Sequence, residues 1–227
     1  MIAENVKIIQ EKMGEAADKS GQSYKDITLV GVTKTVSADK IQKLLDLGVT
    51  NIGENRVQEM MAKVPILNAP KPHWHMIGHL QTNKVKYIVD TVCLIQSVDS
   101  LKLSEEISKR AKALGIVVNV LAEVNSGGEL TKNGVAFNEV LPLIESLSRL
   151  PGIAVKGLMT MPPFVENPAE NRDIFKKMRC LFVDISEKVI HNVSMEILSM
   201  GMTNDYSVAI EEGSNMIRIG TGIFGER

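Results

Sequence analysis

A lysine at the end of an apolar run is the most reactive arrangement in this chain. Ile27-Thr28-Leu29-Val30-Gly31-Val32-Thr33 leads into Lys34 and Thr35, and Ser37 then opens a helical pattern with Ile41, Leu44 and Leu45 on one face. A solvated charge gains nothing from that place, whereas an amine meant to react with a carbonyl does. Imine formation needs the neutral amine, and burial lowers the pKa of a lysine. Two later segments carry groups suited to an anion: Ser199-Met200-Gly201-Met202-Thr203, directly before a helical pattern, and Arg218-Ile219-Gly220-Thr221-Gly222. Glycines let backbone approach an anion and helix N-termini aim free N–H groups at it. Taken singly these glycines equally shape tight turns; taken with Lys34 they favour an anion site beside a reactive amine.

Arg218 adds a constraint. On an alternating strand it shares a side with Met216 and Gly220, while Ile217 and Ile219 point the other way. A guanidinium there is expected to point inward, toward a ligand or into a structural ion pair. His73 and His75 fall on one side of a strand, but no nearby carboxylate completes a metal set, and His79 lies past Gly78. His79 reads instead as a polar wall of a pocket. Asn55, in Gly53-Glu54-Asn55-Arg56, can hydrogen-bond a ligand or orient its own loop. The spacing around Gly31 and Lys34 is not that of a phosphate-binding Walker loop.

The elements that must position these residues alternate almost throughout. Strand patterns fall at 27–33, 50–52, 74–77, 93–98, 116–124, 153–161, 195–200 and 216–224. Helical patterns fall between them at 37–47, 54–63, 82–89, a stretch capped by Asp99 or Ser100, a stretch containing Val140, Leu141, Ile144 and Leu147, 168–190 and 204–212, with another helix in front. Strand–helix alternation forces parallel strands with right-handed crossovers. Eight such units in roughly 200–250 residues predict an α/β chain folded as a (β/α)8 TIM barrel with an extra N-terminal helix, one domain over 1–227. An open doubly wound sheet is the alternative, without the GxGxxG that usually announces it. In such barrels the active site lies at the C-terminal strand ends, where Lys34 and both late loops fall.

Of 227 residues, 44% are hydrophobic and 23% charged, and 26 basic against 27 acidic side chains leave a net charge of −1. No global field draws the chain to nucleic acid or an anionic membrane. No apolar run reaches the ~18 residues of a membrane span, and residues 1–19 lack a signal-peptide core, so a cytoplasmic protein is expected. Cys93 and Cys180 sit in apolar contexts and read as buried, reduced thiols.

Several of these segments resemble one family. Val32-Thr33-Lys34-Thr35, Gly53-Glu54-Asn55-Arg56-Val57-Gln58-Glu59 and Trp74-His75-Met76-Ile77-Gly78-His79-Leu80-Gln81 are similar to the pyridoxal phosphate homeostasis proteins. So are Gly157-Leu158-Met159-Thr160-Met161, Leu198-Ser199-Met200-Gly201-Met202 and Arg218-Ile219-Gly220-Thr221, in the same order from about residue 27 onward. The resemblance implies a fold-type III barrel like the N-terminal domain of alanine racemase, with pyridoxal 5′-phosphate (PLP) held as a Schiff base by Lys34. It implies that Ser199, Gly220 and Thr221 bind the phosphate with the Met200 backbone nearby, that Arg218 faces the pyridine nitrogen, and that Asn55 lies beside the ring. Residues 128–134 match the family's polar loop after the fifth strand.

The resemblance leaves carrier and enzyme to be separated. Two-base racemisation needs a second acid/base opposite Lys34, supplied in alanine racemases by a tyrosine of a further β-domain. The sequence ends at Arg227, and Tyr24, Tyr87 and Tyr206 are not evident substitutes. The expectation is therefore a monomeric, non-catalytic protein that stores, buffers or delivers PLP, with PLP-dependent apoenzymes as recipients. The alternative is a low-efficiency PLP-dependent amino-acid racemase. A lysine lyase or aldolase acting on a phosphorylated sugar is a third reading, and it predicts no chromophore.

Overall fold

The computed structural model describes residues 1–67, 69–128 and 133–225. Eight parallel strands close into a barrel in sequence order: β1 Thr28–Val32, β2 Asn51–Glu54, β3 His73–Met76, β4 Val92–Val98, β5 Val118–Val124, β6 Ile153–Thr160, β7 Val193–Ser199 and β8 Met216–Ile219. Helices α1 Ile2–Ser20, α2 Ala38–Asp46, α3 Val57–Lys63, α4 Leu101–Leu114, α5 Val140–Ser148, α6 Arg172–Ser186, α7 Tyr206–Glu211 and α8 Thr221–Phe224 lie around it. Their apolar stripes meet the outer faces of the strands. On α2 the buried residues are Ile41, Leu44 and Leu45, and Gly31 on β1 makes room for them. A Cβ on Gly31 would lie 2.5 Å from Leu44 Cδ2. Burying one such leucine stabilises by roughly 1.5–3 kcal/mol, so this packing anchors the turn that leaves β1.

Alternation along the strands gives a second, inner compartment. Val30, Leu94, Leu121, Met159 and Met216 pack together inside the barrel, whereas Ile217 and Ile219 join the outer core. Closure between β8 and β1 pairs Val30 with Arg218 and Gly31 with Ile219. Gly220 therefore arrives at the level of Val32, just below Lys34. Gly157 allows β6 to shift register against both neighbours: its φ is 147°, and a Cβ there would lie 1.8 Å from Ile197 O.

Several boundaries differ from the sequence pattern. The strand expected over 216–224 stops at Ile219, because Gly220 turns the chain and its carbonyl accepts from the Ile223 and Phe224 amides. Glu54 ends β2 rather than starting α3, residues Thr82–Tyr87 form a 3-10 helix, and Pro168–Asn171 is a 3-10 turn ahead of α6. Ser100, not Asp99, caps α4, accepting from the Leu103 amide at 3.4 Å. Cys180 is exposed, against the buried reading; Cys93 is exposed as a residue, but its Sγ donates to the Trp74 carbonyl at 3.2 Å and burial pushes its thiol up to about 11. The α6 stripe of Phe175, Met178, Phe182 and Ile185 leaves Cys180 on the opposite face, and Cys93 lies near the start of β4 below the buried run. Residues 129–132 of the polar loop after β5 lie outside the described residues. Among the described residues no helix is long and apolar enough to cross a membrane.

Candidate functional site

At the C-terminal end of the barrel a cavity of about 440 Å³ is lined by Lys34, Arg218, Gly220 and Thr221, together with Val32, Met202, Thr203 and Asp205. Four of the residues singled out from the sequence are thus brought together. Lys34 sits in the turn after β1 and is exposed, not buried as its apolar approach had suggested. The apolar residues bury the strand, and the turn lifts the side chain clear of it.

That turn is strained and firmly held. Thr35 has a φ of 58°, a left-handed conformation that costs a branched residue about 1–2 kcal/mol. Three side chains behind the turn compensate. Lys63 Nζ donates to the Thr33 carbonyl at 2.7 Å and to Glu54 Oε1 at 2.6 Å. Thr33 Oγ1 donates to the same Glu54 oxygen at 2.6 Å. Glu59 Oε2 accepts from the Thr35 amide at 2.8 Å. Burial raises the Glu54 pKa, opposed by its bonds to Lys63 and Thr33; the bond from Thr35 lowers that of Glu59, helped by Lys63.

Arg218 is buried, as expected, and lies inside the barrel. Its Nη1 donates to Ser199 Oγ at 2.5 Å and its Nη2 to the Thr160 carbonyl at 2.7 Å. Because a guanidinium only donates, it sets the direction of a longer chain. Ser199 Oγ donates onward to Gln96 Oε1 at 2.7 Å. Gln96 Nε2 donates to His75 Nδ1 at 3.1 Å, leaving His75 Nε2–H to donate to Asn51 Oδ1 at 3.0 Å. Desolvation lowers the Arg218 pKa to about 10, countered by Glu123 and Asp205. Desolvation likewise lowers that of His75 to about 4, with His73 adding to it, so the ring is neutral near pH 7. Glu123, on β5 and buried, has no hydrogen-bond partner for Oε2. Burial and then Asp99 push its carboxyl up to about 7, against the pull of Arg218.

The remaining sequence candidates lie elsewhere. Ser199 is wholly buried and committed to Arg218 and Gln96, so its hydroxyl supports the arginine and does not line the cavity. Met200 is buried in the outer core, with its amide bonded to the Met216 carbonyl. Asn55 and His79 line a separate depression of about 670 Å³ over the β2 and β3 ends, with Arg56, Gln58 and Lys84. His79 Nδ1 lies 3.4 Å from Asp99 Oδ2. Tyr206 is buried at the start of α7.

The two late segments picked out from the sequence do shape the cavity wall, but sequence reasoning missed Asp205, Asn171 and Asn204, which brace it. Thr203 Oγ1 bonds Thr221 Oγ1 and the Gly222 amide, each at 3.2 Å, tying the two late loops together. A Cβ on Gly222 would lie 2.9 Å from Ile219 Cγ2 and 3.0 Å from Thr203 Cγ2, so this close approach needs glycine. Asp205 accepts from the Met202 amide at 2.8 Å and from Asn171 Nδ2 at 2.9 Å. Asn171 also holds the Pro163 carbonyl at 3.0 Å and Asn204 the Val165 carbonyl at 2.7 Å, fixing residues 163–165 at the mouth. Asp205 stands at the entry to α7 but caps none of its amides, so an N-cap reading would not have found its bonds to Met202 and Asn171.

The arrangement is a primary amine, a cation and a rim of hydroxyls and closely approached backbone around one cavity. That set fits a ligand carrying both an aldehyde and a phosphate. Residues 2–227 match the model of the alanine racemase N-terminal domain. A pyridoxal phosphate homeostasis protein of Aquifex aeolicus is 44% identical over 224 residues, covering 99% of this chain and 97% of that protein. A crystal structure from Bifidobacterium adolescentis superposes with a TM-score of 0.92 at 33% identity, over 98% of this chain and 94% of the other. The structure of PipY from Synechococcus elongatus with PLP bound has a TM-score of 0.86 at 30% identity, over 99% of this chain and 100% of the other.

Proposed function

The chain belongs to the alanine racemase N-terminal domain family and, within it, to the pyridoxal phosphate homeostasis proteins, and from that premise we propose that it binds PLP covalently through Lys34 and serves intracellular PLP homeostasis. The observation that carries the reading is that Lys34, Arg218, Gly220 and Thr221 line one cavity of about 440 Å³. When bound, PLP supplies an aldehyde for an amine and an electron-accepting ring. The residues of this chain do the rest. Lys34 offers the amine. Thr203, Thr221 and the backbone at Gly220 receive the phosphate, a role the resemblance extends to Ser199. Arg218, held by Ser199 and Thr160, presents a fixed cation to the ring nitrogen and disfavours a proton there by repulsion. The ring is then a weaker electron sink.

The same wall supports a storage or delivery role with little or no catalysis. Among the described lining residues the ionisable ones are Lys34, Arg218 and Asp205, and both Asp205 oxygens are engaged by Met202 and Asn171. No group there is poised as a second acid/base opposite the lysine. PLP-dependent apoenzymes are the recipients in this reading, the protein acts as a monomer, and its two free cysteines suit the reducing cytoplasm. Borohydride reduction of the PLP-loaded protein, followed by peptide mass mapping, tests the central point. The adduct is expected on Lys34; an adduct elsewhere, or none, overturns the proposal. Because the family model is that of a racemase domain, turnover of L- to D-amino acids over a broad panel separates the carrier from an inefficient racemase.

A further inference from the structure

The turn carrying Lys34 is gripped from behind on both sides. Lys63 Nζ holds the carbonyl of Thr33, the residue before Lys34, at 2.7 Å, and Glu59 Oε2 holds the amide of Thr35, the residue after it, at 2.8 Å. Both side chains come from α3, one helical turn apart and 3.5 Å from each other. Glu54, wholly buried at the end of β2, balances the Lys63 charge and also takes the Thr33 hydroxyl. We infer that Glu59 and Lys63 are positioning residues for Lys34, fixing the two flanking peptide groups so that the amine is presented to the cavity in one orientation.

Three observations favour this over simple stapling of α3 to the barrel. A buried ion pair such as Glu54–Lys63 is readily replaced by apolar packing where only cohesion is needed, yet here Lys63 also spends a bond on the Thr33 carbonyl and half-buried Glu59 spends one on the Thr35 amide, the two main-chain groups flanking Lys34. Thr35 is held left-handed, a conformation a branched residue keeps only where its surroundings enforce it. Gly31, three residues upstream, lets α2 close on β1 from the same side, so the turn is braced below by packing and behind by the clamp. A lysine side chain has four rotatable bonds, and fixing its base removes the further freedom of a mobile turn before reaction.

The inference rests on the PLP reading but has a test of its own. In the cofactor-free protein, Glu59→Ala removes the acceptor for the Thr35 amide, whereas Glu59→Gln keeps an oxygen there. Amide hydrogen exchange at Thr35 is expected to rise by at least about tenfold in Glu59→Ala and to return to within about threefold of wild type in Glu59→Gln. With PLP added, total binding by equilibrium dialysis should stay within about threefold in both variants, because the phosphate contacts are untouched, while the rate of borohydride-trappable adduct formation on Lys34 falls about tenfold in Glu59→Ala only. Unchanged Thr35 exchange in Glu59→Ala, or an adduct rate that is unaffected or falls equally in both variants, overturns the clamp. A wild-type protein that takes no adduct on Lys34 overturns the PLP reading instead, and the clamp then stands or falls on the exchange rates.

Discussion

Glu123→Gln should change how stability depends on pH. The carboxyl is buried beside Leu121 inside the barrel, its Oε2 has no partner, and its pKa rises from 4.5 to about 7. A raised folded-state pKa means that the folded protein binds the proton more tightly than the unfolded chain. The contribution is fully present below about pH 4.5 and is lost as pH rises through about 7. At about 1.4 kcal/mol for each tenfold change in proton affinity, the loss across that window is about 3 kcal/mol. His75 works in the opposite sense. Its pKa falls from 6.5 to about 4, so the unfolded chain binds more protons between those values and stability rises with pH there, by a similar amount. In wild type these two slopes nearly cancel from pH 4.5 to 6.5, leaving the fall contributed by Glu54, whose pKa burial also raises. Glutamine has the same shape and no titration, so in the variant the rising slope of His75 is unmasked. Urea unfolding at half-unit steps from pH 4.5 to 8.5 reads this directly. The variant's stability relative to wild type should climb by about 3 kcal/mol between pH 4.5 and 7.5. A difference that stays constant within about 0.5 kcal/mol across the range would show that Glu123 does not titrate there and refute the reasoning.

Lys34→Ala should abolish the visible imine absorbance on adding PLP while leaving weaker, non-covalent binding through the late loops, read by dialysis. Ser199→Ala strands Arg218 Nη1 and Gln96 Oε1 in the interior; a loss of about 1–3 kcal/mol in denaturant unfolding is expected. If Ser199 instead contacted the phosphate, PLP affinity would collapse with little change in stability. Gly157→Ala forces a Cβ to within 1.8 Å of Ile197 O at a φ of 147°, so a loss of about 3 kcal/mol or more is expected, or no folded protein on expression.

The strand count, the barrel and the rim position of Lys34 were legible because they depend on period and order. Buried parallel strands are short apolar runs, the helices between them have clear stripes, and the number of units sets the topology. The inward direction of Arg218 followed from alternation, which set it with Met216 and against Ile217, together with the cost of turning a guanidinium into the helical shell. The site's detail depended on depth, which alternation does not report. Ser199 and Arg218 both point inward, but Ser199 lies where the arginine reaches back for a partner, so a hydroxyl near a glycine-rich loop became a support for the cation. Asn55 ends up over β2 and β3 because Gly78 lets the β3 turn press on its backbone; a Cβ on Gly78 would lie 2.5 Å from Asn55 O. The helical stretch beginning near Glu54 hid the clamp, since only the observed end of β2 puts Glu54 beneath α3 and opposite Lys63.

The bonded chain from Arg218 through Ser199, Gln96 and His75 to Asn51 has a single polarity, imposed by the one member that cannot accept. Each interior link must receive on the arginine's side and give on the other. Glutamate at position 96 would have an oxygen for Ser199 but nothing to give His75, whose ring would have to reverse its tautomer and Asn51 its amide to follow, and methionine would give His75 nothing. Positions 75, 96 and 199 are thus not free to drift one at a time. Viable descendants of this barrel should exchange them as a set, or first relinquish the arginine that orders them.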